Sequence, residues 1–137
     1  MVLAGPVVAA DSGAPEKKAP PKDMAEAMDA IRGSLKLLRR LERDPDRWTK
    51  SAAMVAKGSS VVIAAMRMIP QKIQDLPDGP AKLKALADSR RLMGLTLVGY
   101  GRLKLAFLAE SEEQVEDALD FLKEIKAETH EKYNRRE

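Results

Sequence analysis

Two side chains in this sequence carry the strongest case for chemistry, the single histidine His130 and the thioether of Met28. An imidazole can act as a general base or a metal ligand. A thioether is a soft metal ligand, or a filler of apolar cores, and seven methionines make the second use routine. No cysteine occurs in 137 residues, which removes disulfides, zinc–thiolate sites, iron–sulfur clusters and thiol nucleophiles. One histidine excludes a multi-histidine cage and leaves any base-plus-nucleophile scheme dependent on one imidazole. Glu112-Glu113 and Glu116-Asp117 are neighbours in sequence, so on a helix they diverge and cannot straddle one substrate. A carboxylate-bridged di-iron site needs Glu-x-x-His on two helices, but Ala127 stands three residues before His130. Gly99-Tyr100-Gly101 follows no strand and is no phosphate loop. An enzyme is not expected.

The elements that must position Met28 and His130 are helices. From Asp23 onward apolar residues recur at three and four, and β-branched residues are scarce outside Val61, Val62 and Ile63. Asp23, with Glu26 three residues on, caps a first helix that carries Met24, Met28, Ile31, Leu35 and Leu38 to about Arg43. Asp44-Pro45 stops it, and Pro45 suits the first position of a second helix running through Trp48, Ala52, Val55, Ser59, Val62 and Met66 to Pro70. The stretch from Asp75 to Pro80 predicts a loop. A long third helix then spans Ala81 to Glu110, with Leu83, Leu86, Leu92, Leu95, Val98, Leu103 and Phe107 on its apolar positions. Gly94, Gly99 and Gly101 allow it a bend or close helix contact. Ser111-Glu112-Glu113-Gln114 is a capping box for a fourth helix with Val115, Leu119, Leu122 and Ile125 inward, ending among Lys132, Arg135 and Arg136.

Four amphipathic helices with short connections predict an all-α fold, an antiparallel up-down-up-down four-helix bundle over residues 23–137. Residues 11–22, rich in Pro, Ala, Gly and Lys, read as a flexible tether. Residues 1–10 are apolar, end in small residues and read as the remnant of an export signal, so a periplasmic protein is expected. No segment approaches the ~20 apolar residues of a membrane span. Nine acidic residues lie between Glu110 and Glu131, and eight basic ones between Arg32 and Lys57, which predicts attraction between helices one and four.

In such a bundle Met28, five residues into helix one, and His130, about five from the end of helix four, stand at one height, ~8 Å from the same end at ~1.5 Å per residue. A thioether facing an imidazole is the axial pair of a six-coordinate haem iron, with a raised potential and electron transfer as its task. Without a Cys-x-x-Cys-His motif such a haem is held non-covalently.

The residues Asp23, Met28, Ile31, Leu35 and Lys36 then match a run that opens the first helix of a known family. His130-Glu131-Lys132-Tyr133, with Leu122-Lys123 eight residues upstream, is similar to the same family's His-Gln-Lys-Tyr close, and Asp78-Gly79-Pro80 to its Asp-x-Pro before helix three. On these motifs the chain resembles the cytochrome b562 proteins from Asp23 to Arg136. The resemblance implies a bundle binding one haem b, iron protoporphyrin IX, on axial Met28 and His130, and transferring electrons to a redox partner protein. Lys126 stands where the family has an arginine one turn before the histidine, so the resemblance implies that Lys126 or Arg135 pairs with a haem propionate. Counting without gaps, Ala85 and Ser89 fall where the family packs phenylalanines on the porphyrin, and Thr129 replaces a tyrosine.

The alternative from a different class is a haem-free bundle of the same family acting as a structural or protein-interaction module, with Met28 as core. A third reading takes Arg32, Lys36, Arg39, Arg40, Arg43 and Arg47 as a surface for nucleic acid or anionic membrane. A net charge of +3 and five aromatic side chains argue against nucleic acid. A monomer with no nucleic-acid partner is expected.

Overall fold

The computed structural model describes residues 20–134. The export-signal reading of residues 1–10, the tether reading up to residue 19, and Arg135 lie outside the described residues. Among the described residues every regular element is helical: α1 (Met24–Arg40), α2 (Arg47–Ala65), a short α3 (Gln71–Gln74), α4 (Pro80–Leu108) and α5 (Glu112–Thr129). A 3-10 turn follows α1 at Leu41–Arg43, and a π-helical turn, His130–Asn134, follows α5.

Local chemistry accounts for most boundaries. Asp23 is extended and its Oδ1 accepts the Glu26 N–H at 2.9 Å, while the Glu26 carboxylate accepts from the Lys22 N–H at 2.8 Å instead of closing a reciprocal box with Asp23. Asp44, held extended before Pro45 (ψ 137°), ends the first helical run at the expected place. Its carboxylate then takes the Asp46 N–H at 2.8 Å and Lys50 Nζ at 2.9 Å, so α2 starts at Arg47 and not at Pro45. Pro80 occupies the first turn of α4, entered through Gly79 at φ 145°, a conformation that favours glycine. Ser111 Oγ accepts the Gln114 N–H at 3.2 Å and caps α5.

Other boundaries differ from expectation: α1 is α-helical only to Arg40 and α5 only to Thr129, with a 3-10 and a π-helical turn following them, and α4 stops at Leu108. α2 ends at Ala65, short of Pro70, because Pro70 has no N–H to give back and its ring keeps Ile69 out of the helical region. The last turn tightens through Arg67 N–H to Ala64 C=O and Met68 N–H to Ala65 C=O. The chain restarts as α3, whose Ile73 is fully buried.

The core is organised by α4, which packs on α2 and on α5, while α1 packs on α2. Tyr100, Leu103, Ala106 and Phe107 are buried along α4, against Val55 and Val62 of α2 and Val115, Ala118 and Leu122 of α5. Glycines set two close approaches: a Cβ at Gly58 would collide with the Tyr100 ring, and one at Gly99 with Leu122. Leu83 and Val98, expected on the apolar face of α4, are exposed, at 69% and 52%. Leu83 lies near the start of α4, and Val98, at mid-helix, lines an open depression between α2 and α4. α1 and α5 make little direct contact.

Candidate functional site

The space that α1 and α5 leave between them is a cavity of about 560 Å³, within the range that holds small molecules and cofactors. Met28, Ile31 and Leu35 of α1, Met93 and Thr96 of α4, and Leu122, Lys126 and Thr129 of α5 line it, together with His130. The structure thus brings three of the four expected site residues, Met28, Lys126 and His130, to one cavity.

Each is placed by a distinct local cause. Met28 follows Met24 by four residues on the α1 stripe and is half-buried where α1 turns from α2 toward the gap. His130 is the junction residue at which α5 passes into the π-helical turn, a helical irregularity that often occurs at functional sites. It is exposed as well as cavity-lining, so it stands where the cavity meets solvent.

The remaining wall is chemically quiet. Ile31, Met93 and Leu122 are buried and apolar. The Thr96 and Thr129 hydroxyls are satisfied inside their own helices, bonding the carbonyls of Leu92 at 2.9 Å and Ile125 at 2.8 Å. At the expected positions of stacking aromatics, Ala85 is half-buried and Ser89 buried, and neither lines the cavity. Met93, one turn beyond Ser89, supplies a flexible thioether there instead.

Charge at the site departs from the expected attraction between the first and last long helices. The acidic side chains of α5 pair elsewhere: Glu112 with Arg47 of α2, and Glu128 with Arg91 of α4 at 2.8 Å. Partial burial pushes the Lys126 ammonium below the usual lysine range, and the nearby charges of Arg32, Lys36, Arg39 and Lys123 push it further down. The α1 cations and Lys126 therefore repel across the gap and give the cavity a positive rim. Arg32 also lines the cavity beside Asp29, its partner at 2.7 Å. From sequence, Arg32 reads only as part of a basic surface and not as a cavity residue, although it lies four residues from Met28 on the same face.

The donor set limits what the cavity can hold. No group of three His, Cys, Asp or Glu side chains among the described residues is arranged to hold a metal ion. A bare cation would find one imidazole and one thioether, well short of a closed coordination shell. A metal that brings its own equatorial ligands needs two protein donors only, and an apolar wall with a cationic rim suits a flat apolar group carrying carboxylates. Met28, His130 and Lys126 offer such a group one thioether, one imidazole and one cation at the same cavity.

A second depression, about 710 Å³, lies between α2 and α4 and is lined by Ile63, Val98 and Leu105 with Arg102 and Lys104. No helix among the described residues is long and apolar enough to cross a membrane. Comparison with protein-family models, curated proteins and solved structures finds no match to the chain.

Proposed function

We propose that the chain is an electron-transfer protein of the cytochrome b562 type, an antiparallel up-down-up-down four-helix bundle that binds one haem b non-covalently. In this reading Met28 and His130 would hold the iron, and Lys126 or Arg135 would pair with a propionate. The observation that carries it is that Met28 and His130, near opposite ends of the sequence, line one apolar cavity with a cationic rim. The antiparallel arrangement of α4 and α5 is supported by the contact of the third turn of α4 with the π-helical turn that follows α5, through Asp88 and Tyr133. Export to the periplasm is supported by the composition of residues 1–10.

A bound haem supplies a one-electron couple. The residues decide how that couple is used. Met28 and His130 would hold the iron through a thioether and an imidazole, which would disfavour oxygen chemistry and raise the potential relative to two nitrogen donors. Ile31, Leu35 and Leu122 exclude water from the apolar faces. Lys126 gains a counter-charge for an ammonium that is otherwise surrounded by cations.

Titrating the haem-free chain with hemin tests the reading. Saturation at one equivalent with a low-spin spectrum supports it, as does loss of that spectrum in His130→Ala and conversion to high spin in Met28→Ala. One observation favours a second reading, a haem-free module that docks another protein: Ile63, Val98 and Leu105 are 55%, 52% and 67% exposed in the groove between α2 and α4. A chain that shows no saturable hemin binding leaves only that reading.

A further inference from the structure

The His130 imidazole has no hydrogen-bond partner among the described residues, whereas ligating histidines are ordinarily held by a bond to the other ring nitrogen. Its orientation then depends on the backbone that carries it, a turn that packs on α3 as well as on the end of α5. That backbone lies at the change from α-helical to π-helical winding, which a frayed helix end would lose.

On both sides of His130 the chain is tied to α4 by one closed ring of bonds. Tyr133 Oη donates to Asp88 Oδ2 at 2.6 Å, and Lys132 Nζ donates to the same oxygen at 3.1 Å. Lys132 also donates to Glu128 Oε2 at 2.9 Å. Arg91 closes the ring, donating from Nε to Asp88 Oδ1 at 3.0 Å and from Nη2 to Glu128 Oε2 at 2.8 Å. The ring grips residue 128, before His130, and residues 132 and 133, after it. Each charged pair alone is a surface contact of small worth. Asp88 is the common member, receiving three donors while its side chain is only 23% exposed.

We infer that Asp88 is a positioning residue for His130, fixing the π-helical turn through Tyr133 and Lys132 so that the imidazole stays turned to the cavity before any ligand arrives. The pocket side of this claim rests on the haem reading. The turn itself does not.

The test uses the full chain and three variants, Asp88→Asn, Tyr133→Phe and Asp88→Glu. In the haem-free state, amide hydrogen exchange at residues 129–134 in Asp88→Asn and Tyr133→Phe is expected to rise about tenfold, with exchange in the α2 and α4 cores unchanged. The lone His130 imidazole gives a single, directly assignable NMR signal, which is expected to move toward that of a free histidine. Hemin affinity is expected to fall roughly tenfold in both variants, and Asp88→Glu to restore most of it. A uniform rise in exchange over the whole chain would mark general destabilisation and overturn the proposal. So would Asp88→Asn with parental exchange at residues 129–134. If the parent itself takes up no hemin, the haem reading fails, and local exchange alone decides whether Asp88 fixes the turn.

Discussion

The Tyr100 ring fills the space that a side chain at position 58 would need, and its hydroxyl meets Ser34 Oγ of α1 at 3.0 Å. One residue of α4 thus passes over a glycine of α2 to reach α1. This three-helix junction fixes where α1 lies, and so how wide a gap faces α5. Burial pushes the Tyr100 hydroxyl above its usual range, consistent with a neutral group inside the protein.

Gly58→Ala is expected to destabilise the chain by about 1–3 kcal/mol, since the added methyl meets a buried ring that cannot swing away. Gly101→Ala is expected to do the opposite, by up to ~1 kcal/mol, because position 101 is open and alanine is the better helix former. Urea denaturation of both variants checks the contrast. Equal midpoints would mean that the Tyr100 contact does not constrain α2.

Much of the helical layout is legible in the sequence because its signals are local. Asp23 and Ser111 cap, Asp44-Pro45 breaks and Pro80 starts a helix, each acting within one turn of itself. The early end of α2 is less legible, since the effect of Pro70 extends back over several residues and depends on Ile73 finding burial. The charge pattern misleads for a different reason. Summed charges of Arg32–Lys57 and Glu110–Glu131 do not say which faces meet, and Glu112 and Glu128 turn to α2 and α4 while Arg32, Lys36 and Arg39 lie near Lys126. At the site, counting Met28 and His130 from their helix ends predicts a common height; α5 itself ends at Thr129, and both residues line one cavity. The ring around Asp88 is scattered over 45 positions and leaves no motif.

Stability is expected to depend on acid through Asp88. The Tyr133 hydroxyl above all, and then Lys132 and Arg91, hold its carboxyl down to about 2, below the ordinary 3.8. A depressed carboxyl stabilises the fold above the unfolded-state value, and this contribution, about 1–2 kcal/mol after allowing for solvent, is lost as pH falls from about 4 to 2. Asp88→Asn should flatten that part of the pH profile measured by urea midpoints. A parent and variant that lose stability in parallel would exclude Asp88 as the cause.

At the alkaline end the sign reverses. Burial and the Asp88 carboxylate push the Tyr133 hydroxyl up to about 12 from 10. The neutral phenol is the form the fold favours, so its contribution is complete below pH 10 and declines as pH rises toward 12. In the folded parent neither of the two tyrosines should ionise at its ordinary pH, and Tyr133→Phe should remove one of the two raised tyrosinate transitions, leaving that of Tyr100. Appearance of a full tyrosinate signal near pH 10 in the folded parent would contradict both assignments.

Lys126 should cost stability in the haem-free chain and support binding of an anionic ligand. Lys126→Met removes an ammonium held near the α1 cations, and is expected to raise stability by about 0.5 kcal/mol at low salt, read as a higher urea midpoint, and by less at high salt. The same variant should bind hemin more weakly. A midpoint that falls, or a gain that salt leaves unchanged, would show that Lys126 acts through packing of its stem instead of its charge.

The most direct measurement is the visible spectrum of the chain during hemin titration, alongside His130→Ala and Met28→Ala. One equivalent giving a low-spin, six-coordinate spectrum that both substitutions disrupt is the expected result. No saturation, or spectra in both variants identical to the parent, would contradict the assignment of the cavity between α1 and α5 as a haem site.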